Sequence, residues 1–302
     1  MPGLLERTMR HLRRGTLPRR IYERYHYLLH QRRAARWDVC AQRCSSIMGK
    51  IERSVLIRHY IDSHLSRALY MGEFEPVERA FLKAFLRPGD IFVDVGANLG
   101  LFTLLAARYV GHEGSVYAFE PNPTTFERLQ DNVALNRFKR VRCIPLALSD
   151  TEANLPLTIG LEGWDAWSSL AYPVGASAVT TISTGCITWD RFAVTERLLG
   201  RVAMMKIDVE GWEAKVLSGA STALIRPDAP LLQVEFTDAA AYAAGSSCRD
   251  LYHLLEQLGY SMYRYDPTTR SLVAEPLRDT YPYVNLLAAK QPEQVMQRLR
   301  AH

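Results

Sequence analysis

Carboxylates stand at the ends of successive apolar runs in this chain, where they can face a common ligand. Asp94 closes Phe92-Val93-Asp94-Val95, Glu120 follows Ser115-Val-Tyr-Ala-Phe119, and Asp150 lies beyond the run near 141–147. Asp208 follows Val202-Ala-Met-Met-Lys-Ile207, and Glu235 closes Pro230-Leu-Leu-Gln-Val-Glu235. An acid after a strand is often the N-cap of the next helix, and for Asp150 that reading stands beside the ligand-binding one. Five in succession point to one acidic rim.

The turn after the first run narrows the ligand. Gly96-Ala97-Asn98-Leu99-Gly100 joins a strand to a helix through small residues, a place where a ligand can approach backbone. The pyrophosphate of a dinucleotide would be repelled by Asp94, and the third glycine of a dinucleotide fingerprint is missing. A ligand with a cationic amino-acid end, such as S-adenosylmethionine, would be attracted. Asp94 and the amides of Gly96 to Gly100 would then hold that end, with Asn98 tolerating left-handed backbone. Glu120, 24 residues after Gly96, suits the two hydroxyls of a ribose. Asp150 would accept the exocyclic amine of adenine.

The elements that must position these residues alternate. Helix 75–86, strand 91–95, helix 100–109, strand 115–119, helix 123–136 and a strand near 141–147 come first. A less regular stretch runs to about 185, and Thr188 or Asp190 starts a helix to Leu199. Strand 202–207, helix 212–224, strand 230–235, helix 248–258 and strands near 260–265 and 284–289 follow. Strands separated by single helices predict a parallel sheet covered on both faces, with ligands beyond its carboxyl edge.

Charge is uneven. Residues 1–50 carry 12 Lys and Arg against 3 Asp and Glu, a net +9, whereas the remainder is −4 within the overall +5. Ile21, Tyr25, Leu28 and Leu29 recur at helical spacing between arginines, so this stretch reads as a basic amphipathic helix. It serves either as a peripheral contact with an anionic membrane, at its inner face, or as a solvated or subunit-packing helix in a homo-oligomer. No nucleic-acid recognition motif accompanies the charge. No apolar run reaches the roughly 18 residues of a membrane span, and arginines interrupt any signal-like start. Five scattered cysteines without metal-ligand spacing fit a reduced, cytoplasmic location.

Four motifs together carry a resemblance: Asp94-Val-Gly-Ala-Asn-Leu-Gly100, Phe119-Glu-Pro-Asn-Pro123, Leu148-Ser-Asp150 and Lys206-Ile-Asp-Val-Glu-Gly211, followed by Glu213 and Leu217-Ser-Gly-Ala220. They resemble the FkbM-type S-adenosylmethionine-dependent methyltransferases from about Gly72 to Leu287. The resemblance implies a class I, Rossmann-like α/β domain over residues 66–292, with a mostly parallel seven-stranded sheet and helices on both faces. A basic helical extension (1–65) precedes it and a tail (293–302) follows. It implies O-methylation of hydroxyls on sugars (glycans, nucleotide sugars, lipid-linked saccharides) or natural-product scaffolds. Glu75, Gly96, Ala97, Asn98, Gly100, Glu120, Pro121, Asn122, Ser149, Asp150, Asp94 and Asp208 are the cofactor-binding candidates, Glu75 alternatively capping its helix. Trp212 and Trp189 depart from the usual pattern and would reshape the acceptor pocket.

An alcohol needs a base to become a nucleophile, a gain of roughly 10²–10⁴-fold. Asp208 is the first candidate, with Glu210 and Glu235 in reserve. Alternatively, Asp208 and Glu235 bind Mg²⁺, which would acidify a diol. In the loop 160–172, Trp164 and Trp167 would stack on a sugar and Ser168 or Ser169 would bond its hydroxyls, or the tryptophans close the domain edge. The rival functions are a dinucleotide-dependent oxidoreductase, opposed by Asp94, and a non-catalytic glycan-binding scaffold, opposed by the intact acidic set.

Overall fold

The computed structural model describes residues 19–52, 54–160, 169–170 and 178–301, with 19–23, 25 and 26 by backbone alone. Helix α1 (Arg19–Ala41) leads into a hairpin of β1 (Ser46–Ile51) and β2 (Val55–Tyr60), then α2 (His64–Met71) and α3 (Pro76–Phe85). The alternating body begins with β3 (Ile91–Val95), α4 (Leu101–Val110), β4 (Ser115–Phe119), α5 (Pro123–Leu135) and β5 (Val141–Ile144). Then come β6 (Ala147–Leu148), β7 (Asn154–Gly160), β8 (Val179–Ile187), α6 (Trp189–Thr195) and β9 (Met204–Ile207). The chain continues through α7 (Glu213–Ser218), α8 (Ser221–Leu224), β10 (Leu231–Phe236), α9 (Asp238–Ala243) and α10 (Cys248–Gln257). It finishes with β11 (Ser261–Asp266), β12 (Ser271–Ala274), β13 (Val284–Ala289) and α11 (Pro292–Arg300).

The main sheet is eight-stranded, in the order β12-β11-β13-β10-β9-β3-β4-β5. Strands β10, β9, β3, β4 and β5 pair in parallel, and β13, β11 and β12 add antiparallel. This is the expected α/β architecture with one strand more than the seven foreseen. The addition, β12, is a short edge strand folded back on β11 by an Asx turn, in which Asp266 Oδ1 accepts from Thr268 N at 2.8 Å. Four half-exposed residues carry too little pattern to announce a strand.

Alternation along the parallel strands sorts the core into two layers. Val93, Val95, Met205, Ile207, Leu232 and Val234 face helices α6–α10. Phe92, Met204 and Leu231 face α3, α4 and the β1–β2 hairpin. The hairpin falls within the stretch read from sequence as a helical extension, yet Ile51, Val55 and Ile57 are buried in this second layer. Asn136 ties it to α5, accepting from Leu56 N (2.8 Å) and donating to Leu56 O (2.7 Å). The C-terminal residues read as a tail carry α11, with Val295 and Leu299 buried.

The less regular stretch before residue 185 holds β7 and β8, which form a small side sheet with β6. The expected single helix over 212–224 is two. Gly219 lies against the backbone of Ser149, where an added Cβ would come within 2.0 Å of the Ser149 carbonyl. Asp190 then caps α8, accepting from Thr222 N and Ala223 N at 2.9 and 2.8 Å. Thr188 is the cap of α6, its Oγ1 accepting from Arg191 N.

Candidate active site

The turn after β3 is built by left-handed backbone at Gly96 (φ 81°), Asn98 (φ 49°) and Gly100 (φ 91°). Gly96 abuts the neighbouring strand end so closely that a Cβ would lie 1.9 Å from the Asp208 carbonyl oxygen. Only glycine fits. The turn is closed on itself: Gly96 N and Ala97 N donate to Phe119 O, Leu99 N to Asn98 Oδ1, and Gly100 N to Ala97 O. Asn98 N donates to Glu120 Oε2 at 2.9 Å. The amides assigned from sequence to a ligand's amino-acid end therefore all have internal partners.

Glu120, buried at the end of β4, organises the adjacent rim. Besides Asn98, it accepts from Asn122 N through Oε1 at 2.9 Å. Asn122 Oδ1 caps α5 by accepting from Thr124 N at 3.1 Å. Each carboxylate oxygen of Glu120 thus accepts from a backbone amide of an adjoining turn.

A polar row crosses the middle of the sheet. Asp94 is the register partner of Lys206, and Lys206 of Gln233. All three are almost wholly buried. Asp94 accepts from Thr103 Oγ1 at 2.5 Å. The Lys206 ammonium pairs with Asp208 and lies 4.7 Å from the centre of the Phe102 ring. Burial alone would discharge Lys206, but Asp208, Glu75 and Asp94 around it outweigh that and raise its pKa.

Around this single cation the carboxylates diverge. Burial would raise Asp208, but the Lys206 charge prevails and holds it below the usual range. Burial pushes Asp94 up against the pull of Lys206. Glu210 and Glu235 are driven well up by burial and by the charge of Asp208. Glu75 rises to about 7, again chiefly through burial. The carboxylates of Asp208, Glu210 and Glu235 approach within 4.8 Å of one another. Glu75, left-handed at φ 43° ahead of α3, receives Tyr283 OH at 2.8 Å and Asn285 Nδ2 at 3.1 Å on Oε1.

These groups share one cavity of about 320 Å³ at the carboxyl edge of the sheet. Glu75, Asp94, Gly96, Ala97, Asn98, Glu120, Pro121, Asp208, Glu210, Trp212 and Glu235 line it, as the sequence suggested. Lys206, Phe74 and Tyr283 line it too and were not foreseen. One wall is apolar, formed by Phe119, Leu146, Leu148, Leu157 and Leu170.

Other candidates stand apart from this wall. Gly100 and Asn122 shape its turns from behind. Ser149 accepts from Trp212 Nε1 (3.1 Å) and donates to Asp150 Oδ1 (3.1 Å), and Asp150 is paired with Lys215 at 2.8 Å. Asp150 is thereby held low and faces a lysine rather than the cavity, the hydrogen bonds overriding its burial. Trp189 is a core residue against Phe119 and Phe192 and does not shape the pocket. Ser169 donates its hydroxyl to Glu210 O at 2.7 Å. Trp164, Trp167 and Ser168 lie outside the described residues.

Residues 94–262, more than half of the chain, match the methyltransferase FkbM domain family. The chain belongs to the FkbM methyltransferase family. A relative from Streptomyces tacrolimicus, 31-O-demethyl-FK506 methyltransferase FkbM, is 31% identical over 192 residues, 54% of this chain and 72% of the relative. Hexuronic acid methyltransferase AglP of Haloferax volcanii is 30% identical over 143 residues, 45% of this chain and 52% of AglP. Methyltransferase 1 of Beauveria bassiana is 30% identical over 148 residues, 44% of this chain and 59% of that protein. The matched region of this FkbM-family chain opens at Asp94 and takes in Glu120, Lys206, Asp208, Glu210 and Glu235, whereas Glu75 and Tyr283 of the same cavity lie outside it. The basic helix α1 lies outside it.

Proposed function

We propose that this methyltransferase binds S-adenosylmethionine in the acidic cavity and transfers its methyl group to a hydroxyl of a sugar or natural-product scaffold. The observation that carries the reading is the imbalance of ionisable groups: the carboxyl groups of Glu75, Asp94, Asp208, Glu210 and Glu235 surround Lys206, the one cation among the described residues that line the cavity. Glu75 Oε2 has no hydrogen-bond partner among the described residues, although that side chain is only 8% exposed. Buried acceptors without partners are rare unless a ligand supplies them. A cationic donor fits, and Glu120 and the apolar wall suit its ribose and its purine.

The donor, when bound, supplies an electrophilic methyl on a sulfonium whose positive charge is lost with that methyl. The chain's task is then to orient the acceptor and to take its hydroxyl proton. Asp208, kept ionised by Lys206, is the group ready to accept it. Glu210 and Glu235 hold their own protons more tightly and surround Asp208, which leaves Asp208 as the ionised member of the cluster and the one that takes the hydroxyl proton. Trp212 and Tyr283 bound the acceptor side. The same three carboxylates have a spacing that would admit Mg²⁺, but the ammonium bonded to Asp208 already provides positive charge there, and the reading adopted is metal-free.

The name of FkbM gives an oxygen of FK506 as its acceptor, which supports an oxygen acceptor here, and that of AglP gives a hexuronic acid, which supports a sugar. The test is incubation of the purified chain with S-adenosylmethionine and a panel of uronic acids, nucleotide sugars and polyketide alcohols, with and without chelator. The account expects a product heavier by one methyl-for-hydrogen exchange, unaffected by chelator. Donor binding with no product from any hydroxyl would favour a scaffold role, and loss of product with chelator would restore the metal.

A further inference from the structure

Helix α1 has one committed face. Trp37 is buried beside Ile47 and Met71, its ring 5.3 Å from that of Tyr70, and Arg33 Nη1 donates to Met71 O at 2.6 Å. Nine residues, about two and a half turns, separate Leu28 from Trp37, so Leu28 points away from the body. Arg24, Leu28, Arg32, Ala35 and Val39 follow one another along this outward face, with Arg36 at its flank, and all are exposed. Leu28 is 49% and Val39 52% exposed. A helix that merely fronted water would carry polar residues there. The face itself contains no acid among the described residues, and Asp38 stands at the flank opposite Arg36.

We propose that the outward face of α1 docks on an anionic bilayer surface, with Leu28 and Val39 entering the interface and Arg24, Arg32 and Arg36 engaging lipid phosphates. Interleaved arginines and aliphatic side chains are what such a surface selects. Nucleic acid would draw on the arginines but not on Leu28 and Val39. Residues 1–18 add Arg7, Arg10, Arg13 and Arg14 against Glu6 in sequence. No helix among the described residues is long and apolar enough to cross a membrane, so the contact is peripheral. Its location has a consequence. Helix α2, gripped by α1, contributes Leu65 to the cavity wall and leads through Gly72 into Phe74 and Glu75 of the same wall. Docking through α1 is thereby linked, by way of α2, to residues of the cavity wall.

The full-length protein is co-sedimented with phosphatidylcholine vesicles, with and without phosphatidylglycerol, at low and high salt. Binding should be at least about tenfold stronger to the anionic vesicles at low salt. It should be lost both in Arg24→Glu/Arg32→Glu/Arg36→Glu and in Leu28→Asp/Val39→Asp, while S-adenosylmethionine affinity and circular dichroism stay unchanged. Leu28→Ala/Val39→Ala, which keeps helix propensity, should weaken binding in the same direction and serves should the aspartates disturb folding. Equal binding to both vesicle types, or no binding, overturns the proposal. So does anionic binding indifferent to Leu28 and Val39, or a sedimentation-velocity dimer that these substitutions abolish. Failure of the donor reading would leave this result untouched, because the vesicle assay needs no donor.

Discussion

The strands β3 and β9 lie side by side and end in similar words, Asp94-Val95-Gly96 and Asp208-Val209-Glu210-Gly211, yet the two turns do different work. Both turns are held by a buried glutamate, the first from the end of the neighbouring strand β4 and the second from the start of the helix that follows the turn. Glu120 receives Asn98 N, and Glu213 receives Val209 N and Gly211 N at 2.9 and 3.3 Å. Both contain a left-handed glycine pressed against backbone, Gly96 on Asp208 and Gly211 on Ala240. The carboxylates part company. Asp94 is 1% exposed, bonded to Thr103 and pushed up by burial, whereas Asp208 faces the cavity and is held down by Lys206. On the proposed function, one turn is a cradle and the other carries the chemistry. Position relative to a single lysine decides which is which.

Breaking the abutment should have the largest effect. Gly96→Ala forces a Cβ to within 1.9 Å of the Asp208 carbonyl and requires positive φ of a non-glycine residue. We expect a loss above about 4 kcal/mol, read as collapse of the thermal transition and of soluble yield. Folding within a few degrees of the parent would mean that the turns are not locked together.

Exchanging the two aspartates for asparagine sharpens the contrast. Asp208→Asn should reduce turnover by about 10²–10⁴-fold with donor affinity little changed. Asp94→Asn should instead act on stability, by about 1–3 kcal/mol, while sparing most of the turnover of the folded fraction. Steady-state kinetics beside chemical denaturation separate them. A reversed pattern would move the base to the first turn.

A smaller effect is expected at Glu210, a non-glycine residue at φ 55°. Such backbone costs about 1–2 kcal/mol and persists where function requires it. Glu210→Gly should therefore raise the melting temperature by a few degrees while lowering turnover. Melting below the parent would show that the conformation carries no strain.

The mildest prediction concerns pH. Glu75 and Glu213 titrate near 7 in the folded chain against 4.5 ordinarily, burial being the main cause for each. Between those values the folded state holds protons that the unfolded state has released, so stability of the donor-free protein should fall as pH rises from 4.5 to 7. Denaturation midpoints across that range check the sign, and Glu75→Gln should flatten the slope.

Much of this was legible beforehand because strand ends announce themselves: Asp94, Glu120, Asp208 and Glu235 each close an apolar run, and each reaches the cavity. Asp150 obeys the same rule but is diverted by Lys215, a residue on another helix that no local pattern connects to it. Lys206 was hidden in the opposite way, as a cation inside a buried strand whose partners come from β3 and α3. Its signals were its type, a lysine between Met205 and Ile207, and its place at the head of the motif Lys206-Ile-Asp-Val-Glu-Gly211. Tyr283 and Asn285 reach Glu75 across 208 and 210 residues of chain, brought there by the antiparallel strand β13. The side sheet was missed because its exposed, alternating polar residues resemble a loop.

The most direct test is titration calorimetry of the chain with S-adenosylmethionine and with S-adenosylhomocysteine, the neutral thioether left when the sulfonium loses its methyl, in two buffers of different ionisation enthalpy at pH 7. An acidic cavity built around one lysine predicts tighter binding of the charged donor, with protons released as it enters. Equal affinity for the two, or a preference for a nicotinamide dinucleotide over both, would contradict it.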